Sequence, residues 1–436
     1  MRPAAALVLA AGALLLASCS QGGLPQSPLL KFLERPSGRI AYIGVDGNVH
    51  TTDQGGRSRV DVTSDAVVED ASAGGSFYYQ FPAWSPDGRS LAFVSVHAGT
   101  QEVKDAAVWT STAGAAPLRV YSSADQVPRY LSWSPDSSRL VFTAGPGNRV
   151  RELDTVAARG GEVRTLDSGT GFAWRWDSRG GRLAVHSVDL QDESDVERVR
   201  ILDARGAEAT RFSQQPGDFQ APAWSPDGRG VIMAVSDRVG STLYLADSGG
   251  APGQALAHLD GSATIDLSPD GRRLAWSAPP ADGDPGKRSL FVLDLASRNP
   301  VQPGGAPGGS AGGSRSSPRS LTGEDYVAAF SWSPDGSKIA YFVPSEKDLS
   351  LTLKVLTVRT GAVRVVTTFT PSAYYLGVLV QFGQYAESVR LWSPDSRFLL
   401  YCDSQGEGFD VMVAYADQPI APRKIADGVM ATWSPR

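Results

Sequence analysis

A short turn motif that recurs along the whole chain constrains the fold more than any other feature of the sequence. The motif is Trp-Ser-Pro-Asp, usually followed by Gly. Its copies, counting one Leu-Ser-Pro-Asp, one degenerate and one truncated copy, begin at Trp84, Trp133, Trp174, Trp224, Leu267, Trp332, Trp392 and Trp433. An apolar segment with strand-like alternation follows the complete copies, as in residues 91–94. The copies lie about 40 to 65 residues apart, and a period near 40–50 residues is typical of four-stranded propeller blades.

The chemistry of the motif is that of a tight turn. Pro presets φ for the first turning residue, Asp accepts hydrogen bonds from nearby backbone N–H groups, and Gly adopts the left-handed conformation that follows. Such a turn joins two antiparallel strands, so the Trp ends one strand and the apolar segment forms the next. We therefore expect the Trp and Asp residues to be structural, with the Trp side chains packed between neighbouring blades.

The number of repeats predicts how the chain closes. Eight segments have the pattern of a second blade strand and eight copies of the turn are present, but the two series are offset by one. A ring removes the offset if the C-terminal strand ending in Trp433 is the innermost strand of the blade that residues 39–64 begin. We expect an all-β propeller of eight four-stranded blades closed by the C-terminal strand, with seven blades as the alternative.

These motifs resemble the WD-repeat-like, Pro-Asp type β-propeller repeats of the TolB-like family. The resemblance covers nearly all of residues 39–436 and implies a propeller fold. It departs from that family in one respect, because the first blade begins near Arg39 and leaves no room for the N-terminal α/β domain of TolB. A propeller hosts many activities, so the resemblance indicates the fold far more strongly than the function.

The N-terminus has the pattern of a secretion signal. The apolar run 4–17 is too short to cross a membrane and ends in Leu16-Ala17-Ser18-Cys19, which resembles the bacterial lipobox. We predict a lipoprotein signal peptide over 1–18, lipidation of Cys19, a flexible tether over 19–38, and the propeller over 39–436 with a low-complexity insert at 302–319. The alternative is an ordinary signal peptide with a chance cysteine.

This N-terminus also predicts where the protein lies. We expect a lipid-anchored, extracytoplasmic protein of the cell envelope, on the outer membrane of a Gram-negative host or on the outer face of the plasma membrane of a Gram-positive one. It would be a monomer that contacts the membrane only through its lipid anchor. The net charge of −5 gives no reason to expect nucleic acid as a partner.

Composition and spacing argue against several kinds of site. The chain has only two cysteines, Cys19 and Cys402, which excludes a disulfide scaffold and a cysteine-rich zinc site. Its four histidines have no paired spacing, so we expect no metal and no cofactor. Dipeptidyl-peptidase-like enzymes carry similar repeats, but their catalysis lies in a following α/β-hydrolase domain, whereas this chain ends on a blade strand. The expectation is a protein that is not an enzyme and has no catalytic residues.

Two aromatic segments indicate a binding surface. Antiparallel strands place the Pro-Asp turns on one face of the ring and the blade-to-blade links on the other. Two link segments are aromatic and would enter blades that flank the first; they contain Phe77, Tyr78, Tyr79, Tyr374, Tyr375, Phe382 and Tyr385. In an extended backbone, neighbouring tyrosines face opposite ways, so one of each pair would pack and the other would be available.

The resulting hypothesis is a membrane-anchored binding or scaffold module, with these aromatic residues contacting an envelope protein, a peptide or an envelope glycan. Two alternatives stay open. The aromatic residues could extend inner strands and pack between blades. The ring could also be a pore-based lyase or hydrolase acting on glycan or peptide.

Overall fold

The computed structural model describes residues 37–436 except 69–74, 101, 148, 190–195, 218–219, 237–239, 252, 260, 280–286, 298–319, 324, 381, 386 and 405–407. The predicted signal peptide, Cys19, most of the predicted tether and the insert 302–319 lie outside the described residues. The predictions for those segments stay predictions.

Nearly all described elements are strands. They are β1 (Ile40–Gly44), β2 (Val49–Thr52), β3 (Val60–Asp61), β4 (Gly75–Trp84), β5 (Ser90–Gly99), β6 (Val103–Thr112), β7 (Leu118–Ser123), β8 (Val127–Trp133), β9 (Arg139–Gly145), β10 (Glu152–Ala157), β11 (Arg164–Ser168), β12 (Phe172–Trp176), β13 (Arg182–Asp189), β14 (Val196–Asp203), β15 (Glu208–Arg211), β16 (Ala223–Trp224), β17 (Gly230–Ser236), β18 (Ser241–Asp247), β19 (Gln254–Leu259), β20 (Thr264–Leu267), β21 (Arg273–Ala278), β22 (Ser289–Asp294), β23 (Ala329–Trp332), β24 (Lys338–Pro344), β25 (Leu351–Thr357), β26 (Ala362–Phe369), β27 (Phe398–Asp403), β28 (Asp410–Tyr415) and β29 (Arg423–Trp433). Two helices, α1 (Ala373–Val380) and α2 (Phe382–Tyr385), precede β27.

The described strands form antiparallel sheets whose inner strands stand side by side in a ring. Five sheets have four consecutive strands each: β4–β7, β8–β11, β12–β15, β16–β19 and β23–β26; β20–β22 form a three-stranded sheet. A seventh, the closing sheet, has six strands in the order β27-β28-β29-β1-β2-β3. The first strand of one sheet contacts the first strand of the next, as for β4 with β8 and β16 with β20. The predicted all-β propeller with four-stranded blades is confirmed.

The ring closes through β29. The first part of this strand pairs with β28, where Ala426 faces Val411, and its second part pairs with β1, where Ala431 faces Tyr42. The predicted closure by the C-terminal strand is therefore confirmed. Because β29 serves two repeats, their strands merge into one continuous sheet. Counted as hydrogen-bonded sheets, the blades number seven in the described chain, so the expected eight is wrong and the alternative of seven is right.

The Pro-Asp turns have the hydrogen bonding that their residue types predict. In the first copy, the Ser85 hydroxyl donates to the Asp87 carboxylate at 2.6 Å, and the Arg89 N–H donates to the same oxygen at 3.0 Å. Gly88 is left-handed, with φ of 69°. In the second copy Ser137 holds the corresponding position at φ of 62°, and its hydroxyl accepts a hydrogen bond from the Asp87 N–H at 3.2 Å. The turns thus also join neighbouring sheets.

Several of the repeat Trp side chains bond their sheet to the one before it. The indole Nε1 of Trp133 donates to the carbonyl oxygen of Ala83 at 2.9 Å, and that of Trp224 donates to the carbonyl of Arg175 at 2.9 Å. Each acceptor lies on the inner strand of the preceding sheet. The buried indole rings also fill the space between sheets. The expectation that these tryptophans pack between blades is confirmed.

The two faces of the ring differ in what they carry. The turn face holds the Pro-Asp turns, such as 85–89 and 393–397. The link face holds the segments that connect one sheet to the next, such as 371–390, together with the hairpins between second and third strands. A different cavity lies on each face.

Candidate functional site

The link-face cavity lies where the closing sheet meets β4 and α1. It has a volume of about 200 Å³. Its walls combine backbone from the end of β1 with the side chains of Tyr78, Tyr374, Val68 and Met430. None of its described lining residues is an Asp, Glu, Lys, Arg or His. The cavity is therefore uncharged and mostly apolar, and its polar side chains are those of Ser76, Gln80 and the tyrosines.

Within β4 the two adjacent tyrosines have different environments. Tyr79 is 4% exposed, and its hydroxyl donates to the Asp65 carboxylate at 2.8 Å. Tyr78, on the other side of the strand, is half-buried and lines the cavity. Phe77 is half-buried and packs edge-on against Tyr79, with ring centroids 5.2 Å apart. This is the alternation that an extended strand requires.

The second aromatic segment also has one buried and one more exposed tyrosine, but for a different reason. Tyr375 is 2% exposed, whereas Tyr374 is 49% exposed and lines the cavity. Both belong to α1, so the expectation that this segment enters an inner strand is wrong. About 100° of helical rotation separates the two side chains. Phe382 and Tyr385 lie on α2, and their side chains are outside the described part of the chain.

Local capping and one long-range contact explain the helix. The Ser372 hydroxyl accepts a hydrogen bond from the Tyr375 N–H at 3.1 Å, which is the geometry of a helix N-cap. The same hydroxyl donates to the carbonyl of Val429 on β29 at 2.7 Å. The bond anchors α1 to the closing strand and brings Tyr374 to the cavity that Tyr78 lines. The structure thus brings Tyr78 and Tyr79 of one predicted cluster and Tyr374 of the other to the same cavity, while their ligand-binding role stays a prediction.

Burial also shifts the pKa of one tyrosine that lines the cavity. It raises the pKa of the Tyr78 hydroxyl above its usual value of 10.0, and the neighbouring Tyr374 adds to the increase. Tyr78 therefore stays neutral at physiological pH and can donate or accept a hydrogen bond. The cavity can receive an apolar side chain and bond a neighbouring polar group.

The pore cavity lies at the centre of the ring and opens at the turn face. It has a volume of about 440 Å³ and is lined by inner strands and Pro-Asp turns. The helix α2 contacts the inner strands β8, β20 and β23. The Gln384 side chain accepts a hydrogen bond from the Trp174 N–H at 2.8 Å, and the Gly383 carbonyl accepts one from Arg175 at 3.3 Å. The short helix thus lies within the ring of inner strands.

Charged groups line the pore cavity. The Arg175 guanidinium lies 3.3 Å from the Asp266 carboxylate and 3.4 Å from the Glu387 carboxylate. Burial raises the pKa of Asp266 above its usual value of 3.8, although Arg175 opposes the increase. Burial also lowers the pKa of Arg390, which Glu387 partly offsets. Two cations and two carboxylates therefore share one sparsely solvated space.

Sequence reasoning missed the pore cavity because its charged residues come from three separate parts of the sequence: Arg175, Asp266, and the segment that contains Glu387 and Arg390. Arg175 and Asp266 come directly before the last residue of β12 and β20. Other inner strands have a small residue there, such as Ala83, Ser132 and Ala223. A charged residue at this repeat position was the available signal.

The structure also changes the alignment of the degenerate copy of the motif. Trp176, rather than Trp174, corresponds to the Trp that precedes the turn in the other copies, because Trp176 pairs with Leu183.

Two of the four histidines have carboxylate partners. His50 is bonded by the carboxylates of Asp61 at 2.7 Å and Asp46 at 3.0 Å, and His186 lies 3.2 Å from Glu197. Across the described residues no group of three or more His, Cys, Asp or Glu side chains could hold a metal ion.

No helix in the described part of the chain is long and apolar enough to cross a membrane.

Sequence comparison identifies two curated relatives, and both are named peptidases. No known family model matches the sequence. Dipeptidyl-peptidase 5 of Porphyromonas gingivalis is 23% identical over 304 residues, covering 66% of this chain and 40% of the relative. The uncharacterized peptidase YuxL of Bacillus subtilis is 24% identical over 185 residues, covering 40% of this chain and 25% of the relative. The chain therefore spans less than half the length of these relatives.

Two solved structures that share the fold have different functions. An oligogalacturonate lyase in complex with manganese matches 88% of this chain and 99% of its own at 14% identity and a TM-score of 0.54. A prolyl endopeptidase matches 81% of this chain and 50% of its own at 13% identity and a TM-score of 0.54. TolB from Acinetobacter baumannii matches 83% of each chain at 14% identity and a TM-score of 0.40. The class of protein that fold and comparisons define is a β-propeller.

These findings correct one expectation. The sequence led us to expect a protein that is not an enzyme, but both curated relatives are named peptidases, and the similar structures include peptidases and a lyase. The error came from treating the end of this sequence at a blade strand as evidence about activity. A propeller can serve an enzymatic reaction by binding its substrate, so the blades alone do not exclude catalysis.

Proposed function

We propose that this protein acts in peptide hydrolysis and that its propeller binds the peptide substrate at the link-face cavity. The observation that carries the proposal is the meeting of Tyr78 and Tyr374 in one apolar cavity, from segments about 300 residues apart in the sequence. The names of the curated relatives support peptide as the ligand class.

The dimensions of the cavity indicate what part of a peptide it binds. Its volume of about 200 Å³ is smaller than a typical site for a complete small molecule and suits one or two side chains. Val68 and Met430 offer an apolar wall to such a side chain. The hydroxyls of Tyr78 and Tyr374 can bond the peptide N–H and C=O groups beside it.

The alternative of a pore-based lyase has less support. A manganese ion is present in a lyase structure that shares the fold, whereas the described residues of this chain include no group of three or more His, Cys, Asp or Glu that could hold a metal ion. The likeness to that lyase, at 14% identity, is one of fold.

Calorimetry with a panel of acetylated tetrapeptide amides, varied at the central side chains, tests the proposal. Tyr374→Ala should weaken binding of the preferred peptide about tenfold, because it removes an exposed ring that forms one wall. Tyr326→Ala is the matched control, since Tyr326 is an exposed tyrosine in another link segment. If the protein hydrolyses a fluorogenic version of that peptide, Tyr374→Ala should raise KM with kcat unchanged.

Two results would overturn this proposal. One is that no peptide of the panel binds to the folded protein. The other is that Tyr374→Ala and Tyr326→Ala affect peptide binding equally while both variants melt like the parent.

We also propose that Cys19 is lipidated and holds the protein at the extracytoplasmic side of a membrane. Support comes from the apolar run 4–17 and the small residues directly before Cys19. A diacylglyceryl group supplies the two chains that stable anchoring needs. Cys19→Ala should move the protein from the membrane pellet to the soluble fraction, and Ser20→Ala should leave it in the pellet. Retention of Cys19→Ala after a carbonate wash would contradict the anchor.

A further inference from the structure

The pore cavity contains a guanidinium group whose hydrogen-bonding capacity is not filled. Nη1 of Arg390 is fully buried and has no hydrogen-bond partner among the described residues. Nε of Arg175 is also buried without a partner, but its two Nη atoms bond Asp266 and the Gly383 carbonyl, and Nη1 lies 3.4 Å from Glu387. A buried donor without an acceptor destabilises the protein, and a bound acceptor would relieve that cost.

We propose that the pore cavity binds a carboxylate carried on an apolar residue, such as the C-terminal end of a peptide, with Arg390 as the anchor. This site is on the opposite face from the link-face cavity and does not depend on the proposed peptide binding there. A guanidinium fork and a carboxylate can form two parallel hydrogen bonds, which makes the pairing specific as well as strong.

The backbone holds Arg390 in position before any ligand arrives. Its N–H donates to the Thr432 hydroxyl at 2.8 Å, and its carbonyl accepts from the Trp433 N–H at 3.1 Å. Both partners belong to β29, the strand that closes the ring. The anchor is therefore attached to a rigid element, which lowers the entropy lost on binding.

The rest of the wall favours a single negative charge on an apolar body. Asp266 and Glu387 line the same cavity, so a ligand with several negative charges would be repelled. Leu391 and the rings of Trp332 and Trp392 give the cavity an apolar surface. Its volume of about 440 Å³ is sufficient for a terminal residue and part of the next.

The test uses N-acetyl-Leu-Phe as the free acid and as the C-terminal amide, with binding followed by tryptophan fluorescence. The free acid should bind at least about tenfold tighter than the amide. Arg390→Gln should remove that preference. Arg272→Gln, which changes an exposed arginine on a neighbouring turn, should retain it. A third probe, 3-phenylpropionate, separates the two sources of the group: weaker binding than the acetylated dipeptide assigns a peptide end, and equal binding assigns a small apolar acid.

The proposal is overturned if acid and amide bind equally, or if Arg390→Gln folds and keeps the preference for the acid. Should Arg390→Gln fail to fold, Glu387→Gln gives an independent result. Removing that negative charge should tighten binding of the acid about threefold or more without affecting the amide, and an unchanged acid affinity would count against the site. Tyr374→Ala should leave the acid preference intact, so this proposal and peptide binding on the link face can fail separately.

Discussion

The link-face cavity and the pore cavity share one strand and differ in almost everything else. Val429 and Met430 at the start of the second part of β29 line the first, and Ser434 just beyond its end lines the second. The link-face cavity is apolar and aromatic, whereas Arg175, Asp266 and other charged groups line the pore.

The difference has an origin in the architecture of the ring. Links between sheets can vary in length and conformation. The link-face cavity is accordingly shaped in part by a link that forms the helix α1. The pore is built from repeat positions with nearly the same backbone in every sheet. Its character is therefore decided by which side chain occupies each equivalent position.

Removing the shared strand should have the largest effect on this comparison. Deletion of residues 428–436 removes the partner of β1 and one wall of each cavity. It leaves unpaired strand edges, so we expect aggregation or loss of the cooperative melting transition, together with both binding activities. Differential scanning calorimetry would show it. A deletion variant that melts like the parent would disprove closure by β29.

Replacing a Trp between sheets should weaken the ring while sparing both cavities. Trp224 is 6% exposed, bonds the Arg175 carbonyl and lines neither cavity. Trp224→Ala should lower the free energy of unfolding by about 3–5 kcal/mol in denaturant titration, because it leaves a void and an unpaired carbonyl. Tyr326→Ala should stay within about 0.5 kcal/mol. A loss below about 1 kcal/mol for Trp224→Ala would mean that the indole contributes little between sheets.

A pH titration should separate the two cavities. Asp266 faces Arg175, Glu387 and Arg390, and burial raises its pKa. Below that pKa the carboxyl is neutral and the pore is more positive, so affinity for the N-acetyl-Leu-Phe acid should fall as pH rises through the pKa of Asp266. The same group should make folding less favourable over that rise, since its folded pKa exceeds its unfolded one.

Peptide-amide binding at the link-face cavity should not change over the same pH range, because its described lining has no acidic or basic side chain. Asp266→Asn should flatten the pH dependence in the pore. If that variant keeps the slope of the parent, another group controls the charge of the pore.

The smallest expected effect distinguishes the two adjacent tyrosines of β4. Tyr79→Phe removes the hydrogen bond to Asp65 and should cost about 1 kcal/mol of unfolding free energy with no change in peptide affinity. Tyr78→Phe should change stability by less than about 0.5 kcal/mol and should weaken peptide binding. Chemical denaturation combined with calorimetry measures both. The reverse result would assign the binding role to Tyr79.

The sequence predicted where the two aromatic segments of the candidate site lie, but it did not predict the conformation of both. The aromatic segments containing Tyr78 and Tyr374 were expected on one face near the first blade, and both line one cavity there. The segment at Tyr374 was expected to be extended, because a Tyr-Tyr pair beside apolar residues suits a strand as well as a helix. The Ser372 cap and its bond to Val429 select the helix, and Val429 is distant in the sequence.

The sequence by itself determined the propeller fold, the turns and the closure of the ring. A Pro-Asp turn depends on contacts within about five residues, and its repetition copies the same local structure around the ring. Only the tertiary structure decided the count of continuous sheets, the helical link and the charged pore. Those features depend on contacts such as Arg175 with Asp266 and Ser372 with Val429, which join segments that no local rule relates. Such pairs come together only when the whole ring is closed.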